Sequence, residues 1–174
     1  VHVEPGSLER IKEAAKKGPV IFLPCHRSHV DYLVLSYVLH SYGMVSPHVA
    51  AGTNLNFFPV GPLFRRAGAF FIRRSFRDNR VYSATFRAYI RKLVKEGVFI
   101  EFFIEGGRSR TGKSIPPRFG ILRELIMAET SGAASNIQLL PVGISYEKIV
   151  EDRAYGLELS GAKKRKESLG ALLR

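Results

Sequence analysis

A histidine and an aspartate stand five positions apart near the beginning of the chain, in the run His26-Arg-Ser-His-Val-Asp31. A carboxylate that holds one imidazole nitrogen leaves the other nitrogen available as a general base. Residues five apart on one helix point about 140° away from each other, so the two side chains meet only if a helix begins between them. Ser28 is a natural N-cap that would put Asp31 in the first turn and leave His26 in the loop. We therefore predict that His26 and Asp31 form a catalytic pair.

Two other interpretations of this run remain open. In the first, Asp31 only serves the helix end, because a histidine followed five positions later by an acidic residue is common by chance. In the second, Cys25 is a nucleophile beside His26, although adjacent side chains seldom point at each other and a lone cysteine is often simply buried. Cys25 is the only cysteine of the chain, which excludes an internal disulfide and a cysteine-rich zinc site.

A second polar run, Glu105-Gly-Gly-Arg-Ser-Arg-Thr-Gly-Lys-Ser114, contains the P-loop pattern of Gly107, four residues and then Gly112-Lys113-Ser114. That pattern is typical of nucleotide hydrolysis. A P-loop needs a helix to begin at its Gly-Lys-Ser, but Pro116 and Pro117 follow closely and push the backbone out of the helical region. No aspartate ends an apolar run, where a P-loop enzyme would hold magnesium. The run therefore does not predict a nucleotidase.

The same loop suits a phosphate group. Arg108 offers a planar fork of N–H donors that matches phosphate oxygens, and the glycines let backbone N–H groups come close. The run Gly68-Ala-Phe-Phe-Ile-Arg-Arg74 adds two arginines at the end of another apolar segment, and only one of them need face the site because strand neighbours point to opposite sides. Glu105 is placed to anchor these arginines. The alternative is a solvated arginine surface that tolerates nucleic acid, with Glu105 as an ordinary salt-bridge partner.

The elements that must position these residues alternate between helix and strand. This alternation predicts an α/β fold with a mostly parallel central sheet flanked by helices. Periodicity favours helices at 7–17, 30–40, 79–95 and 119–129, and short apolar runs favour strands at 20–23, 47–51, 69–72, 98–104 and 137–145. Residues 54–62 are broken by proline and glycine, and the tail from residue 155 reads as helical and basic.

Polar segments follow four of the predicted strands, at residues 25–31, 73–77, 105–113 and 146–148. In sheets of this kind, ligands bind beyond the carboxyl ends of the strands. We therefore expect the four segments to converge on one site.

The composition fits one folded domain with an anionic partner. Of the 174 residues, 45% are hydrophobic and 24% are charged, a balance typical of globular rather than disordered chains. The net charge of +12 attracts nucleic acid, anionic lipid or a phosphorylated substrate, although solubility alone is an alternative explanation. No apolar stretch reaches the roughly 18 residues that a membrane-spanning helix requires.

Four segments, in order, resemble the four motif blocks of the glycerolipid acyltransferase family. Each block alone is a weak signal, whereas four in this order and at these spacings are specific. Residues 26–33, 54–56 and 105–112 are similar in particular to the bacterial membrane-bound glycerol-3-phosphate acyltransferases, and residues 114–121 also resemble the dihydroxyacetone-phosphate acyltransferases. The four blocks are His26-x4-Asp31, Gly68-Ala-Phe-Phe-Ile-Arg-Arg74, Phe103-Ile-Glu-Gly-Gly-Arg-Ser109 and Leu140-Pro-Val-Gly-Ile144.

The resemblance implies a reaction in which an acyl-CoA or acyl-carrier-protein thioester donates a fatty acyl group to the sn-1 hydroxyl of glycerol 3-phosphate, giving lysophosphatidate. Dihydroxyacetone phosphate and lysophosphatidate are alternative acceptors. The resemblance implies His26 and Asp31 as the catalytic residues, and it implies no metal and no cofactor. The substrate-binding residues that it implies are Phe71, Ile72, Arg74, Glu105, Gly106, Arg108, Ser109 and Pro141.

The resemblance also implies where the protein works. We expect residues 1–174 to be an acyltransferase catalytic domain, a piece of a longer protein that lies peripherally on the cytoplasmic side of the cell inner membrane. Its partners would then include an anionic membrane surface and would not include nucleic acid. A rival from another class is a non-catalytic basic module, which predicts basic residues spread over one face among aromatic side chains.

Three groups of residues are expected to meet the membrane. They are the pair Phe57-Phe58, the run Leu63-Phe64-Arg65-Arg66 and the basic cluster Lys163-Lys164-Arg165-Lys166. Basic clusters attract anionic lipid, and apolar side chains supply the second signal that stable peripheral binding needs. The alternative is that the phenylalanines belong to the core and the tail is a solvated helix.

Overall fold

The computed structural model describes residues 1–73, 75, 79–149, 151, 155, 156 and 160. Helices and strands alternate through these residues, with a short 3-10 helix at Thr53–Leu55. The strands are β1 (Val20–Pro24), β2 (His48–Gly52), β3 (Ala69–Ile72), β4 (Ile100–Glu101) and β5 (Gln138–Val142). The helices are α1 (Ser7–Lys17), α2 (Asp31–Ser41), α3 (Val60–Arg66), α4 (Arg80–Lys95) and α5 (Gly120–Thr130).

The strands form one sheet in the order β3-β2-β4-β1-β5, and each neighbouring pair is parallel. The predicted α/β class, with helices flanking a parallel central sheet, is confirmed. Strand β1 lies between β4 and β5, so the polar residues that follow these three strands leave the sheet at the same edge.

Strand β1 is buried on both faces, which explains its unbroken apolar sequence. On one face Ile21 belongs to a core shared with Ile90 of α4 and Leu125 of α5. On the other face Phe22 packs in a second core with Leu39 of α2. The two cores fix β1 between two helical layers and hold its carboxyl end in place.

The predicted strand at 98–104 is reduced to Ile100–Glu101, because the chain turns directly afterwards. The N–H of Phe102 still donates to the Phe22 carbonyl oxygen over 3.2 Å, and the N–H of Gly106 then closes a turn on the Phe103 carbonyl oxygen over 2.9 Å. The shorter strand brings the following polar residues close to the sheet edge.

Helix α3 was not predicted, because the proline and glycine residues around it favour a loop. Pro59 precedes the helix and Pro62 lies in its first turn, where a missing N–H costs no intrahelical hydrogen bond. Helix α4, with 16 residues, is shorter than the roughly 20 residues that span a bilayer. None of the helices in the described part of the chain is long and apolar enough to do so.

Candidate active site

The turn after β1 brings His26 and Asp31 into direct contact. The Nδ1 atom of His26 lies 2.9 Å from Oδ2 of Asp31. Because a carboxylate only accepts hydrogen bonds, Nδ1 carries the ring proton and Nε2 keeps its lone pair. The His26 side chain is 16% exposed, whereas the Asp31 side chain is fully buried. A substrate can therefore reach the imidazole while water is kept from the carboxylate.

Asp31 is buried but fully supplied with hydrogen-bond donors. Its Oδ2 atom also accepts from the backbone N–H groups of Arg27 (2.7 Å) and Ser28 (2.9 Å), and its Oδ1 atom accepts from the hydroxyl of Tyr146 (2.6 Å). Burial alone would raise the pKa of Asp31, but the hydrogen bonds from His26, Tyr146 and the two backbone groups outweigh it and hold that pKa below its usual value. Asp31 is therefore an ionised carboxylate.

The local sequence explains how this contact arises. Helix α2 begins at Asp31, three residues after Ser28, and residues 28–30 form a turn. Asp31 reaches back to the Ser28 N–H, which is one half of the predicted capping box. The other half is absent, since the Ser28 hydroxyl donates to Glu151 and Ser28 is not the N-cap. The predicted N-cap is thus wrong, although the predicted meeting of His26 and Asp31 is present.

The environment of His26 keeps the imidazole neutral. Phe103 stacks on the ring, with centroids 3.9 Å apart and planes 23° apart. Burial lowers the pKa of His26 below its usual value, and this outweighs the opposing hydrogen bond and charge of Asp31, while Arg108 and His29 lower it further. His26 is therefore deprotonated at neutral pH, as a general base must be.

The loop after β4 lies against the histidine turn. The Ser109 N–H donates to the His26 carbonyl oxygen over 2.8 Å, and the Ser109 hydroxyl donates to the Lys113 carbonyl oxygen. Gly106 has a φ of +64°, and a Cβ there would lie 2.7 Å from Cδ of Arg118, so this turn requires glycine. The next helix begins only at Gly120, and the Gly-Lys-Ser run opens no helix, as predicted.

The buried carboxylate of Glu151, near the end of the described residues, contacts both of these loops. Glu151 Oε2 accepts from the Ser28 hydroxyl over 2.8 Å, and Oε1 accepts from the His29 N–H over 2.8 Å. The same Oε1 lies 3.3 Å from Nη1 of Arg108, whose side chain is only 9% exposed.

Tyr155 adds a second link between the same loops. Its hydroxyl accepts from Nη1 of Arg108 over 2.6 Å and donates to the Arg27 carbonyl oxygen over 3.2 Å. The guanidinium groups of Arg108 and Arg110 lie 5.9 and 5.8 Å from the centre of its ring. Arg108 is thus held within the site by an acid, a phenol and an aromatic face.

A second buried carboxyl group lies close to Asp31. Glu101 of β4 pairs in register with Phe22 of β1, so its side chain points to the face covered by α2. Among the described residues, neither of its carboxyl oxygens has a hydrogen-bond partner. Burial, assisted by the charge of Asp31, raises the pKa of Glu101 to about 8. Glu101 is therefore a neutral acid at pH 7.

The amino-acid sequence of this chain matches a known family. The family model described as acyltransferase matches residues 6–145, most of the chain. The chain belongs to the acyltransferase family. It is also similar to the crystal structure of the 1-acyl-sn-glycerophosphate (LPA) acyltransferase PlsC from Thermotoga maritima, with a TM-score of 0.44 and 15% identity, over 91% of this chain and 81% of that chain. The matched segment of the acyltransferase contains His26, Asp31 and Arg108.

Several residues predicted to bind substrate surround the turn that carries His26 and Asp31. Arg108 and Ser109 contact it through Glu151 and through the His26 carbonyl oxygen, as described above. Glu105 is buried, and its Oε2 atom has no hydrogen-bond partner within the described part of the chain. Gly106 forms the turn next to it.

Other residues predicted for this acyltransferase lie at the two edges of the sheet. Phe71 and Ile72 end β3, which β2 and β4 separate from β1, a distance of about 14 Å at the usual strand spacing. Pro141 is exposed on β5, the opposite edge, where the lack of an N–H does no harm. Arg74 lies outside the described residues. The predicted set therefore spans the whole width of the sheet.

Sequence reasoning missed four residues of the site. Phe103 stood inside the third motif block, and Tyr146 opened a polar segment that was expected at the site, but nothing in the sequence pairs either of them with His26 or Asp31. Glu151 and Tyr155 follow the last predicted strand and carry no pattern. Glu151 contacts Ser28, and Tyr155 contacts Arg27, each more than 100 residues away along the chain. Only the folded chain shows these contacts.

The alternative chemistries gain no support from this arrangement. The Sγ atom of Cys25 lies 4.0 Å from the Ile144 carbonyl oxygen, which is a weak contact. Within the described residues, no group of three or more histidine, cysteine or acidic side chains is arranged to hold a metal ion.

Proposed function

We propose that this domain transfers a fatty acyl group from an acyl-CoA or acyl-carrier-protein thioester to the sn-1 hydroxyl of glycerol 3-phosphate, giving lysophosphatidate. The observation that supports this most directly is the 2.9 Å contact between His26 Nδ1 and Asp31 Oδ2, which leaves Nε2 as a base for a hydroxyl group. The motif resemblance supplies the identity of the acceptor.

The reaction needs no covalent enzyme intermediate. Nε2 of His26 accepts the proton of the sn-1 hydroxyl as that oxygen attacks the thioester carbonyl carbon. The tetrahedral intermediate then breaks its C–S bond, and the thiolate takes the proton back from Nε2. Asp31 keeps Nδ1 protonated and stabilises the imidazolium between these steps, as in a catalytic triad without its nucleophile.

The phosphate of the acceptor is proposed to bind at the arginines that follow β3 and β4. In support of this, the Ser109 N–H lies 2.8 Å from the His26 carbonyl oxygen, so the loop that carries Arg108 adjoins the base. Guanidinium forks match phosphate oxygens in geometry and charge. The proposed substrate-binding residues are Phe71, Ile72, Arg74, Glu105, Gly106, Arg108, Ser109 and Pro141.

The test is the transfer of labelled acyl groups to glycerol 3-phosphate by the full-length protein and by His26→Ala. Loss of a general base should lower turnover by about two to four orders of magnitude. His40→Ala, at the exposed end of α2, is the matched control and should keep wild-type turnover.

Two outcomes would change the proposal. Unaltered turnover in His26→Ala would remove the histidine mechanism, and an acyl group trapped on Cys25 would replace it with a covalent one. Dihydroxyacetone phosphate and lysophosphatidate are assayed in parallel, and a higher kcat/KM for either would reassign the acceptor.

The domain is further proposed to lie peripherally on an anionic membrane, on the cytoplasmic side of the cell inner membrane as the resemblance implies. Phe58 is 87% exposed and Leu63 is 63% exposed, with Arg65 and Arg66 exposed beside them. Phe64 instead packs on the ring of Tyr32, with centroids 5.8 Å apart. Apolar side chains beside cations suit an anionic bilayer. The basic cluster at 163–166 lies outside the described residues.

Vesicle co-sedimentation checks this surface. Wild-type protein should bind anionic vesicles more strongly than neutral ones, and salt should weaken the binding. The double substitution Phe58→Ser/Leu63→Ser should reduce binding by at least several fold. Val45→Ser, which removes an equally exposed apolar group before β2, is the control. Equal, negligible binding to both lipids at low salt would contradict the proposal.

A further inference from the structure

Glu151 lies beyond the segment that the family model matches, yet its carboxylate is buried inside the site. Its two oxygens accept from the Ser28 hydroxyl, the His29 N–H and Nη1 of Arg108. One carboxylate therefore joins the catalytic turn before α2 to the arginine of the loop after β4.

We propose that Glu151 is a positioning residue of this acyltransferase, whose carboxylate, supported by the Tyr155 hydroxyl, presets the Arg108 guanidinium for the phosphate of the acceptor. This inference rests on the proposed function. Glu151 itself touches no reacting atom and acts through Arg108.

The physical basis is preorganisation. An arginine side chain has many rotamers, and fixing them during substrate binding weakens the observed affinity. Here the Glu151 carboxylate and the Tyr155 hydroxyl both hold Nη1, at 3.3 and 2.6 Å, so the guanidinium is oriented before a ligand arrives.

A competing role for Glu151 is that of an internal anion, which occupies the phosphate position and must leave before the substrate binds. The geometry disfavours this role. Ser28 is fully buried, and both its hydroxyl and the His29 N–H donate to the Glu151 carboxylate. Removing Glu151 would leave buried donors without an acceptor, which is costly. The two roles predict opposite changes in the affinity of the acceptor.

The experiment measures kcat and the KM for glycerol 3-phosphate in the full-length protein and its variants. Glu151→Gln keeps the shape but removes the charge that orients Arg108, so the KM should rise about tenfold, the effect of one charge-assisted hydrogen bond, while kcat changes less than threefold. Tyr155→Phe should raise the KM in the same direction by a smaller factor. Glu9→Gln makes the same charge change at an exposed position of α1 and should leave both constants unaltered.

A double-mutant cycle then separates positioning from a general structural effect. If Glu151 acts through Arg108, adding Glu151→Gln to Arg108→Ala should raise the KM no further. A KM that is unchanged or lowered in Glu151→Gln would overturn the proposal, and a lowered KM would favour the internal anion. Full additivity in the double variant would also overturn it. Thermal unfolding of each variant excludes loss of the fold as the cause.

A measurement without turnover distinguishes this inference from the proposed function. The His29 amide donates to Glu151, so its hydrogen exchange should accelerate in Glu151→Gln and not in Glu9→Gln. If the wild type transfers no acyl group, the proposed reaction fails, yet accelerated exchange together with weakened binding of inorganic phosphate would still support the positioning role. Unaltered exchange and phosphate affinity in a folded Glu151→Gln variant would overturn it.

Discussion

Asp31 and Glu101 are both fully buried carboxyl groups on the side of the sheet that α2 covers, but they hold opposite protonation states. Asp31 receives hydrogen bonds from the His26 ring, the Tyr146 hydroxyl and two backbone N–H groups, which hold its pKa below the usual value. Glu101 receives none among the described residues, and burial raises its pKa to about 8.

The comparison shows that donors, rather than burial, decide whether a carboxyl group inside this fold is charged. Removal from water disfavours the ionised form at both positions. At Asp31 the helix start and the turn before it aim backbone N–H groups at the carboxylate, whereas the β4 backbone groups that neighbour Glu101 belong to the sheet. The ionised state of Asp31 therefore follows from where its helix begins.

The largest expected effect is the difference in kcat between the amide variants of Asp31 and Glu101. Asp31→Asn removes the charge that stabilises imidazolium and should lower kcat by about two to four orders of magnitude. Glu101→Gln replaces a neutral acid by a neutral amide and should change kcat less than threefold at pH 7. Steady-state acyl transfer by both variants tests the contrast, and similar losses in the two would refute it.

The second expected effect is on the pH dependence of stability between pH 4.5 and about 8. The raised pKa of Glu101 means that the folded protein keeps a proton between pH 4.5 and about 8 that the unfolded chain releases. The free energy of unfolding should therefore fall as the pH rises through this window, by at most about 1.4 kcal/mol per pH unit from this group. Asp31 contributes in the opposite sense, since its stabilising effect is lost only as the pH falls through its lowered pKa.

Urea unfolding of wild type and Glu101→Gln between pH 5 and 9 measures this slope. The substitution should flatten the decline and make the variant more stable than wild type at pH 9, because ionisation of a buried, unpartnered carboxyl group is avoided. Parallel curves for the two proteins would mean that Glu101 does not titrate in this range. Glu124→Gln makes the same substitution at a part-buried position of α5 and serves as the matched control.

The smallest expected effect comes from removing one donor to Asp31. Tyr146→Phe deletes the 2.6 Å hydrogen bond to Oδ1 and leaves the other donors in place, so the carboxylate is oriented less firmly and kcat should fall by about tenfold or less. A more basic carboxylate stabilises imidazolium better and raises the pKa of His26. The acid limb of the pH profile of kcat/KM should lie below the ordinary imidazole pKa of about 6.5 in wild type and move upward in the variant.

Tyr37→Phe, which removes an exposed hydroxyl from α2, is the control for that experiment. It should leave both kcat and the acid limb unaltered. A downward shift of the limb in Tyr146→Phe, or none, would show that Tyr146 does not act through Asp31.

The sequence predicts the parts of this molecule that depend on local rules. Alternating apolar runs and periodic segments predict the parallel α/β fold, and a helix that begins between His26 and Asp31 predicts that the two side chains meet. Ser28 shows the limit of such rules. Its hydroxyl donates to Glu151, which lies far along the chain, and helix α2 begins later than predicted.

Other features depend on tertiary context and carry no sequence signal. Glu101 stands in an apolar run, and its lack of hydrogen-bond partners among the described residues follows from how β4 packs between β1 and β2. Tyr155 reaches the Arg27 carbonyl oxygen across the fold. Helix α3 forms despite its prolines because Pro62 falls in the first turn. The residue at which the helix begins decides this, and composition does not specify that residue.

The strand order also has a consequence during synthesis on the ribosome. Strand β1 is made early, but Ile21 pairs only with Ile100 of β4 and Leu139 of β5, which emerge much later. At about 5–20 residues per second, the nascent chain exposes its most apolar strand for several seconds before either neighbour is available. Tyr146 and Glu151, which contact Asp31 and Ser28, emerge later still. A ribosome-bound chain therefore surrounds Asp31 with its donors only after the five strands have been made, and until β4 and β5 emerge β1 is the segment that a chaperone should recognise.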